Sequence, residues 1–271
     1  MKSPLGEFLR ARRQAVTVDE VGLPDVGRRR TPGLRRDEVA LLAGVSADYY
    51  IRLEQGRERH PSDQVLASLA RALRLNADAT EHLYQLVNPR PSKRRERQSA
   101  HVDRNVLRLI GSLDRIPALV TNDRLDVLAL NAVARALYEG LAHTDNLLRL
   151  TFLNPESRKL YPDWEQEASS KVAHLRAVAG PGLDPSLLRL VEELSRASED
   201  FRRIWARHDV GARSQEFRRI VHREVGELIL WHVTFSIDGS PGQRIFIAQA
   251  EPGSSSERAL TRLSMTHPVG G

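Results

Sequence analysis

Between Arg35 and Gly56 the chain reads RRDEVALLAGVSADYYIRLEQG, and four of its side chains suit a single task. Asp48 and Arg52 are four residues apart, as are Ala47 and Ile51, so in a helix all four share one side. A carboxylate accepts hydrogen bonds, a guanidinium donates two in parallel, and small apolar groups meet a methyl. Those are the groups that read base edges in the major groove of duplex DNA. Tyr49 stands at the edge of the same side, suited to a phosphate or base contact or to packing. Arg36, Arg57 and Arg59 flank it, and guanidinium groups in such positions suit phosphate oxygens.

Something must hold these residues in place. Tyr50 and Leu53 fall on the opposite side of the helix and predict its anchor. Before it, Val39, Ala40, Leu42 and Ala43 share one broad side of another short helix, with Asp37 and Glu38 pointing elsewhere. Gly44 supplies the backbone angle a tight turn needs. Ser46 is placed to cap the second helix with its hydroxyl, at the end where base contact begins. Two short helices hinged at Gly44 and Val45 have the spacing of a helix-turn-helix. Arg36 opens the first of them, where a cation opposes the helix dipole unless a phosphate is held between the two.

Charge is unevenly placed in a way that fits a polyanionic partner. Residues 1–99 carry 19 Lys/Arg against 13 Asp/Glu, an excess of +6, whereas residues 100–271 carry 22 of each. Arg outnumbers Lys 37 to 4 over the whole chain, and a similar ratio holds in the neutral half, which points to codon composition rather than to function. With 271 residues the chain accommodates two domains. It has no cysteine, which excludes disulfides and thiolate metal sites. No signal-like run and no stretch near the roughly 20 apolar residues of a membrane span is present, so a cytoplasmic protein is expected.

Along the chain, PLGEFLRARRQA predicts a first helix. A long Gly-, Pro- and Arg-rich connection containing Arg28, Arg29 and Arg30 follows it. Downstream of Gly56, SDQVLASLARALRL and ADATEHLYQLV predict two more helices, making five in about 85 residues. An all-α DNA-binding domain is therefore expected over 1–88 and a basic linker, with NPRPSKRRERQS at its heart, over 89–102. Residues 103–264 have another rhythm: two short strands around Asn122-Asp123, then helices, then three strands. The last two of these are joined through Asp238-Gly239 and Pro241-Gly242 as a hairpin. An α+β domain with an antiparallel sheet is expected, its strands ending near Glu251, with EPGSSSE and the tail at Gly271 loose.

The run EVALLAGVSADYYIRLEQGRERHPSDQVLASLARAL resembles the lambda-repressor/xenobiotic-response-element class of helix-turn-helix proteins. More narrowly, RRRTPGLRRDEVALLAGVS followed by YYIRLEQGR is similar to the bacterial MmyB-like transcription regulators. The similarity continues through RLDVLALN, LLRLTFLNPESRKLYPDWE, VAHLRAVAG and ELSRASEDFRRIWARHDV. It implies a PAS-like C-terminal ligand-binding domain and assigns base contact to Ala47, Asp48, Ile51 and Arg52. It also implies a small apolar, fatty-acid-like ligand and, as one recognition helix reads few base pairs, a homodimer on paired half-sites. The chain departs from the family pattern at Leu130, Arg223 and Asp145, positions in or beside the expected pocket.

For that pocket the expected apolar lining is Phe201, Ile204, Trp205, Ile229, Trp231, Val233 and Phe235, with Asn131, His208 and His222 as polar groups. Each also has an ordinary structural reading, as core residue or satisfied polar group. Trp231, Val233 and Phe235 alternate onto one face of their strand, and His232 and Thr234 onto the other. His208-Asp209 and His222 superficially resemble an acid/base or metal pair. No phosphate loop, HExxH or nucleophile elbow accompanies them, so neither an enzyme, a cofactor nor a metal site is expected. The alternative is a DNA-binding protein whose second domain serves only dimerisation or protein contacts.

Overall fold

The structure, a computed structural model, describes residues 3–23, 33–88, 101–178, 184–207 and 217–266. The three-arginine run at 28–30, residues 89–100 of the expected linker and His208 lie outside the described residues. The chain divides into two compact units: Met1–Pro91 with Val172–Leu190 and Arg202–Ala212, and Ser92–Lys171 with Val191–Phe201 and Arg213–Gly271.

The first unit contains the five expected helices: α1 (Pro4–Ala15), α2 (Arg36–Ala43), α3 (Ala47–Glu54), α4 (Asp63–Ala72) and α5 (Ala77–Val87). Their starts follow local chemistry. Pro4 opens α1, and the hydroxyls of Ser46 and Ser62 and the amide oxygen of Asn76 accept from Tyr49, Val65 and Ala79 at the starts of α3, α4 and α5. Leu5, Phe8, Leu9, Leu34, Val39, Tyr50, Leu53, Leu66, Leu69, Leu73 and Leu83 form one core. At Gly6 the backbones of α1 and α3 come so close that a Cβ would sit 2.2 Å from the Glu54 carbonyl oxygen, which only glycine permits.

In the second unit a five-stranded antiparallel sheet has the order β2-β1-β5-β4-β3, from β1 (Ala118–Thr121), β2 (Val127–Leu130), β3 (Phe217–His222), β4 (Gly226–Ser236) and β5 (Arg244–Ala250). The β1–β2 and β4–β5 connections are hairpins, the first held by Asn122 Oδ1 accepting from the amides of Arg124 and Asp126. Helix α6 (Arg104–Gly111) covers one half of one sheet face: Ile110, Val106 and Leu113 pack with Ala118, Val120 and Ile245. On the other face lie α7 (Ala132–Leu137) and a C-terminal helix. Between β2 and β3 come α7, α8 (Leu147–Phe152), α9 (Ser157–Leu160), α10 (Trp164–Val178), α11 (Pro185–Ala197) and α12 (Glu199–Trp205). The helical run that starts at Pro185 breaks at Ser198, whose Oγ accepts from the Phe201 amide and caps α12.

The C-terminal helix, α13 (Ser255–Thr266), overturns the expectation that EPGSSSE is loose, since Ser255, Ser256 and Glu257 form its first turn. Its Gly- and Ser-rich entry reads as a tail, yet Ala259, Leu260 and Leu263 recur at helical spacing and are buried against the sheet and α7. Leu263→Ala should lower stability by about 2–5 kcal/mol, the range for a buried leucine that leaves a cavity. Urea denaturation followed by tryptophan fluorescence checks this, and an unchanged midpoint would contradict the packing.

Candidate nucleic-acid interface and sensor cavity

Helix α3 is presented by its neighbours. Gly44, at φ +68°, turns the chain after α2, and Ser46 Oγ accepts from the Tyr49 amide at 3.1 Å. Tyr50 and Leu53 are fully buried. Ala47 and Asp48 are exposed, and Ile51 and Arg52 are half-buried, so the four expected base-reading residues lie together on the outward side. Tyr49 is half-buried against the core while its ring also faces the Arg52 guanidinium, 5.6 Å from the centroid. Asp48 accepts from Arg52 one turn on, so Arg52 is held extended by a carboxylate and an aromatic ring. Arg57 and Arg59 are exposed in the loop after α3, with Arg59 Nε donating to the Gly56 carbonyl at 3.3 Å.

What fixes α3 is a buried carboxylate at its far end. The Glu54 side chain is 2 % exposed and bridges two arginines: Arg13 Nε of α1 at 2.6 Å and Arg36 Nε of α2 at 2.7 Å. Arg13 is itself buried, and its Nη1 donates to the Leu34 carbonyl at 2.8 Å. Burial pushes the Glu54 carboxyl up, but the hydrogen bonds from Arg13 and Arg36 outweigh it and hold the carboxyl below the usual range. Nearby, burial first and the Glu54 charge second raise the Tyr50 phenol well above its ordinary value. Arg36, expected at a phosphate, is thus half-exposed and committed to Glu54. Sequence spacing gave no sign of this pairing across 18 residues.

The second unit holds a cavity on the α7 side of the sheet. Pro117, Leu119, Ala134, Leu137, Ile220 and Phe246 form its apolar wall, and Tyr138 and His232 bring polar groups to it. Its volume is about 20 Å³, room for roughly one water. His232 Nε2 is sealed from solvent and has no hydrogen-bond partner. Burial, with a smaller contribution from Arg218, pushes this imidazole down to about 4, so it is neutral near pH 7. Behind it lies a buried ionic cluster in which Glu167 accepts from Lys171 and Arg218. Burial would raise the Glu167 carboxyl, yet the charges of Lys171 and Arg218 hold it down at about 2. Lys171 Nζ also donates to Thr151 Oγ1 at 2.8 Å and lies over the Tyr161 ring.

The residues expected to line a pocket are placed differently. Trp231, Val233 and Phe235 occupy the sheet face opposite the cavity, because the register that puts His232 inward against Ala248 puts them outward. Strand alternation fixed the two sets correctly but not which set faces inward. Ile229 shares that outer face. Phe201 is fully buried, edge-on to Phe152, and Ile204 is a buried core residue. The Trp205 ring carries the Arg176 guanidinium 3.9 Å from its centroid. Asn131 caps α7 through Oδ1, and its Nδ2 donates to the carbonyls of Ile110, Leu113 and Ile116. His222 is engaged with the Ala136 carbonyl and the Glu224 amide. None of these residues lines the cavity. Sequence reasoning missed His232 and Tyr138; a histidine in an otherwise apolar strand, LILWHVTFSI, was the available signal.

Among the described residues no helix is long and apolar enough to cross a membrane, and no group of three His, Cys, Asp or Glu side chains is arranged to hold a metal ion. A helix-turn-helix joined to an α+β domain with a small, partly open cavity defines a two-domain DNA-binding regulator. The family follows from comparison. Residues 102–263 match the MmyB-like transcription regulator ligand binding domain, and residues 4–83 match a helix-turn-helix domain. The chain belongs to the MmyB-like transcription regulators. A search of curated proteins returns no match.

Two outcomes follow for the reading helix. Glu54→Ala leaves Arg13 buried without its partner and should cost about 3–5 kcal/mol. Because the folded-state value of Glu54 lies below its unfolded value, its contribution is present above about pH 4.5 and lost as pH falls through the lower folded value. Urea midpoints between pH 3 and 7 should therefore converge for wild type and Glu54→Gln at the acid end, and a constant gap would contradict the ion pair. Arg52→Ala should cost about 1–3 kcal/mol on the wild type's preferred sequence and flatten discrimination at one base position. Binding to single-base variants of that sequence measures this, and unchanged discrimination would remove Arg52 from base contact.

Proposed function

We propose that this chain is a sequence-specific transcription regulator acting in the cytoplasm. Two copies place their α3 helices in paired half-sites, and the second domain senses a small, largely apolar ligand. The base-reading role is supported by the outward grouping of Ala47, Asp48, Ile51 and Arg52 on a helix anchored by Tyr50, Leu53 and Glu54. Arg57 and Arg59, exposed after α3, serve phosphates, and Arg36 adds backbone contact from its exposed part.

The single observation that carries the sensing role is the cavity: an apolar wall with a neutral, unpartnered His232 Nε2 and the Tyr138 side chain at its edge. A fatty-acid-like chain needs far more than the resting 20 Å³, so it enters by displacing side chains such as Leu137 and Phe246. That displacement supplies the differential affinity for two states without which no ligand shifts an equilibrium. The role is one of binding rather than catalysis. The alternative, a second domain serving only dimerisation or protein contacts, gains support from the exposed apolar outer sheet face.

Organic extraction of purified protein followed by mass spectrometry should recover an apolar small molecule. His232→Leu should weaken its rebinding about tenfold or more, the scale of one lost buried hydrogen bond. Trp231→Ala, on the opposite sheet face, should leave rebinding unchanged. Loss of rebinding in Trp231→Ala with His232→Leu unaffected would overturn the cavity assignment.

A further inference from the structure

An antiparallel sheet face exposed to water normally carries polar side chains. The outer face of β3 and β4 does not. Facing outward are Phe217, Val221, Ile229, Trp231, Val233 and Phe235, interrupted by Arg219 and Glu227. Phe217 is 52 % exposed, Phe235 50 %, Ile229 44 % and Val221 40 %. Phe217 and Trp231 are cross-strand partners packed edge to face, ring centroids 4.8 Å apart. The β1–β5 half of the same face is covered by α6, through Ile110 and Val106. The β3–β4 half has no such cover among the described residues.

We propose that this half-face is where two copies of the chain pair. Contiguous exposed apolar surface of this kind marks an interaction site, and aromatic residues at its centre are what stable interfaces use as anchors. Three observations select a second copy as the occupant. The stretches outside the described residues contain no Phe, Tyr, Trp or Ile, so they lack the side chains to match this surface. The patch is interrupted by Arg219 and Glu227, 3.8 Å apart, and Arg219 is bound through two hydrogen bonds of 2.9 Å to Asp163 at the sheet edge. Its one cation is thus already neutralised within the chain, and the patch offers no net positive charge to select an acidic partner. A two-fold axis through the patch would lay the same apolar side chains of two copies against each other and bury them on both sides. The third is functional and rests on the regulator reading above: a single α3 reads only a few base pairs, and pairing supplies the second half-site.

The test uses the full chain. Sedimentation velocity at 1–50 µM should show a dimer for wild type and a monomer for Phe217→Glu/Phe235→Glu. Both positions are about half exposed in one copy, so the circular dichroism spectrum of the variant should match wild type, while its melting temperature should lose the dependence on protein concentration that a dimer shows. A second measurement does not depend on that variant. The chain has no cysteine, so Ile229→Cys introduces one thiol near the patch centre, and mild oxidation should link two chains. Leu41→Cys, more exposed than Ile229 but on α2, should stay unlinked. A monomeric wild type, a dimeric double variant or equal cross-linking of the two cysteine variants would overturn the proposal. Its failure is separable from that of the regulator reading. If wild type dimerises as expected but enriches no sequence from random DNA, the face stands and the specific-DNA reading falls.

Discussion

The DNA-reading half of the molecule depends on one buried carboxylate. Glu54 closes α3, and its two oxygens are held by arginines from the two elements that must be fixed relative to that helix, α1 and α2. A carboxylate with 2 % exposure cannot be left unpaired, because water no longer solvates it, so the three helices assemble together. Apolar packing alone is less directional. Tyr50 and Leu53 fill the core beneath α3, but a helix resting on two apolar side chains can still roll. A bridging ion pair at its end, with Gly6 pressed against the Glu54 backbone and Ser46 capping the other end, sets its rotation. Rotation decides which side chains meet the bases.

The same physics operates in the second unit with a different outcome. Glu167, Lys171 and Arg218 form a buried cluster whose members satisfy one another, with Thr151 accepting from Lys171. His232, alongside, is the group left without a partner at Nε2. A polar atom that costs free energy in the empty state regains it when a ligand supplies the missing hydrogen bond, so the unsatisfied group marks where binding energy is available. The sheet thereby has two dissimilar faces: one turned to helices and a cavity, the other turned outward with aromatic side chains that water does not favour.

Much of this was legible in the sequence, and what was not has identifiable causes. The helix-turn-helix is local: Gly44, Ser46 and the 3.6-residue spacing of Tyr50 and Leu53 specify it within 22 residues, from Arg35 to Gly56. The hairpin at Asp238-Gly239 is local too. Long-range choices were hidden. Nothing near Glu54 names Arg13, 41 residues away, as its partner. Alternation in WHVTFSI separates two faces, but when both carry apolar or half-buried groups it does not say which is inside, and here the inward set is that of His232. An asparagine before a helix in an apolar context, as Asn131 is, fits a pocket polar group and a helix cap equally. Its five backbone partners show it ties α6, β1 and α7 together. The helix after Glu251 was masked by a Gly- and Ser-rich lead-in.

The central claim is that α3 reads base edges and that the chain does so in pairs. Selection of bound sequences from random duplex DNA by the full chain tests both at once. The account predicts enrichment of two inverted half-sites, each a few base pairs long, with centres separated by about one helical turn or a multiple of it. Enrichment of no sequence, or of a single half-site without a spaced partner, would contradict it.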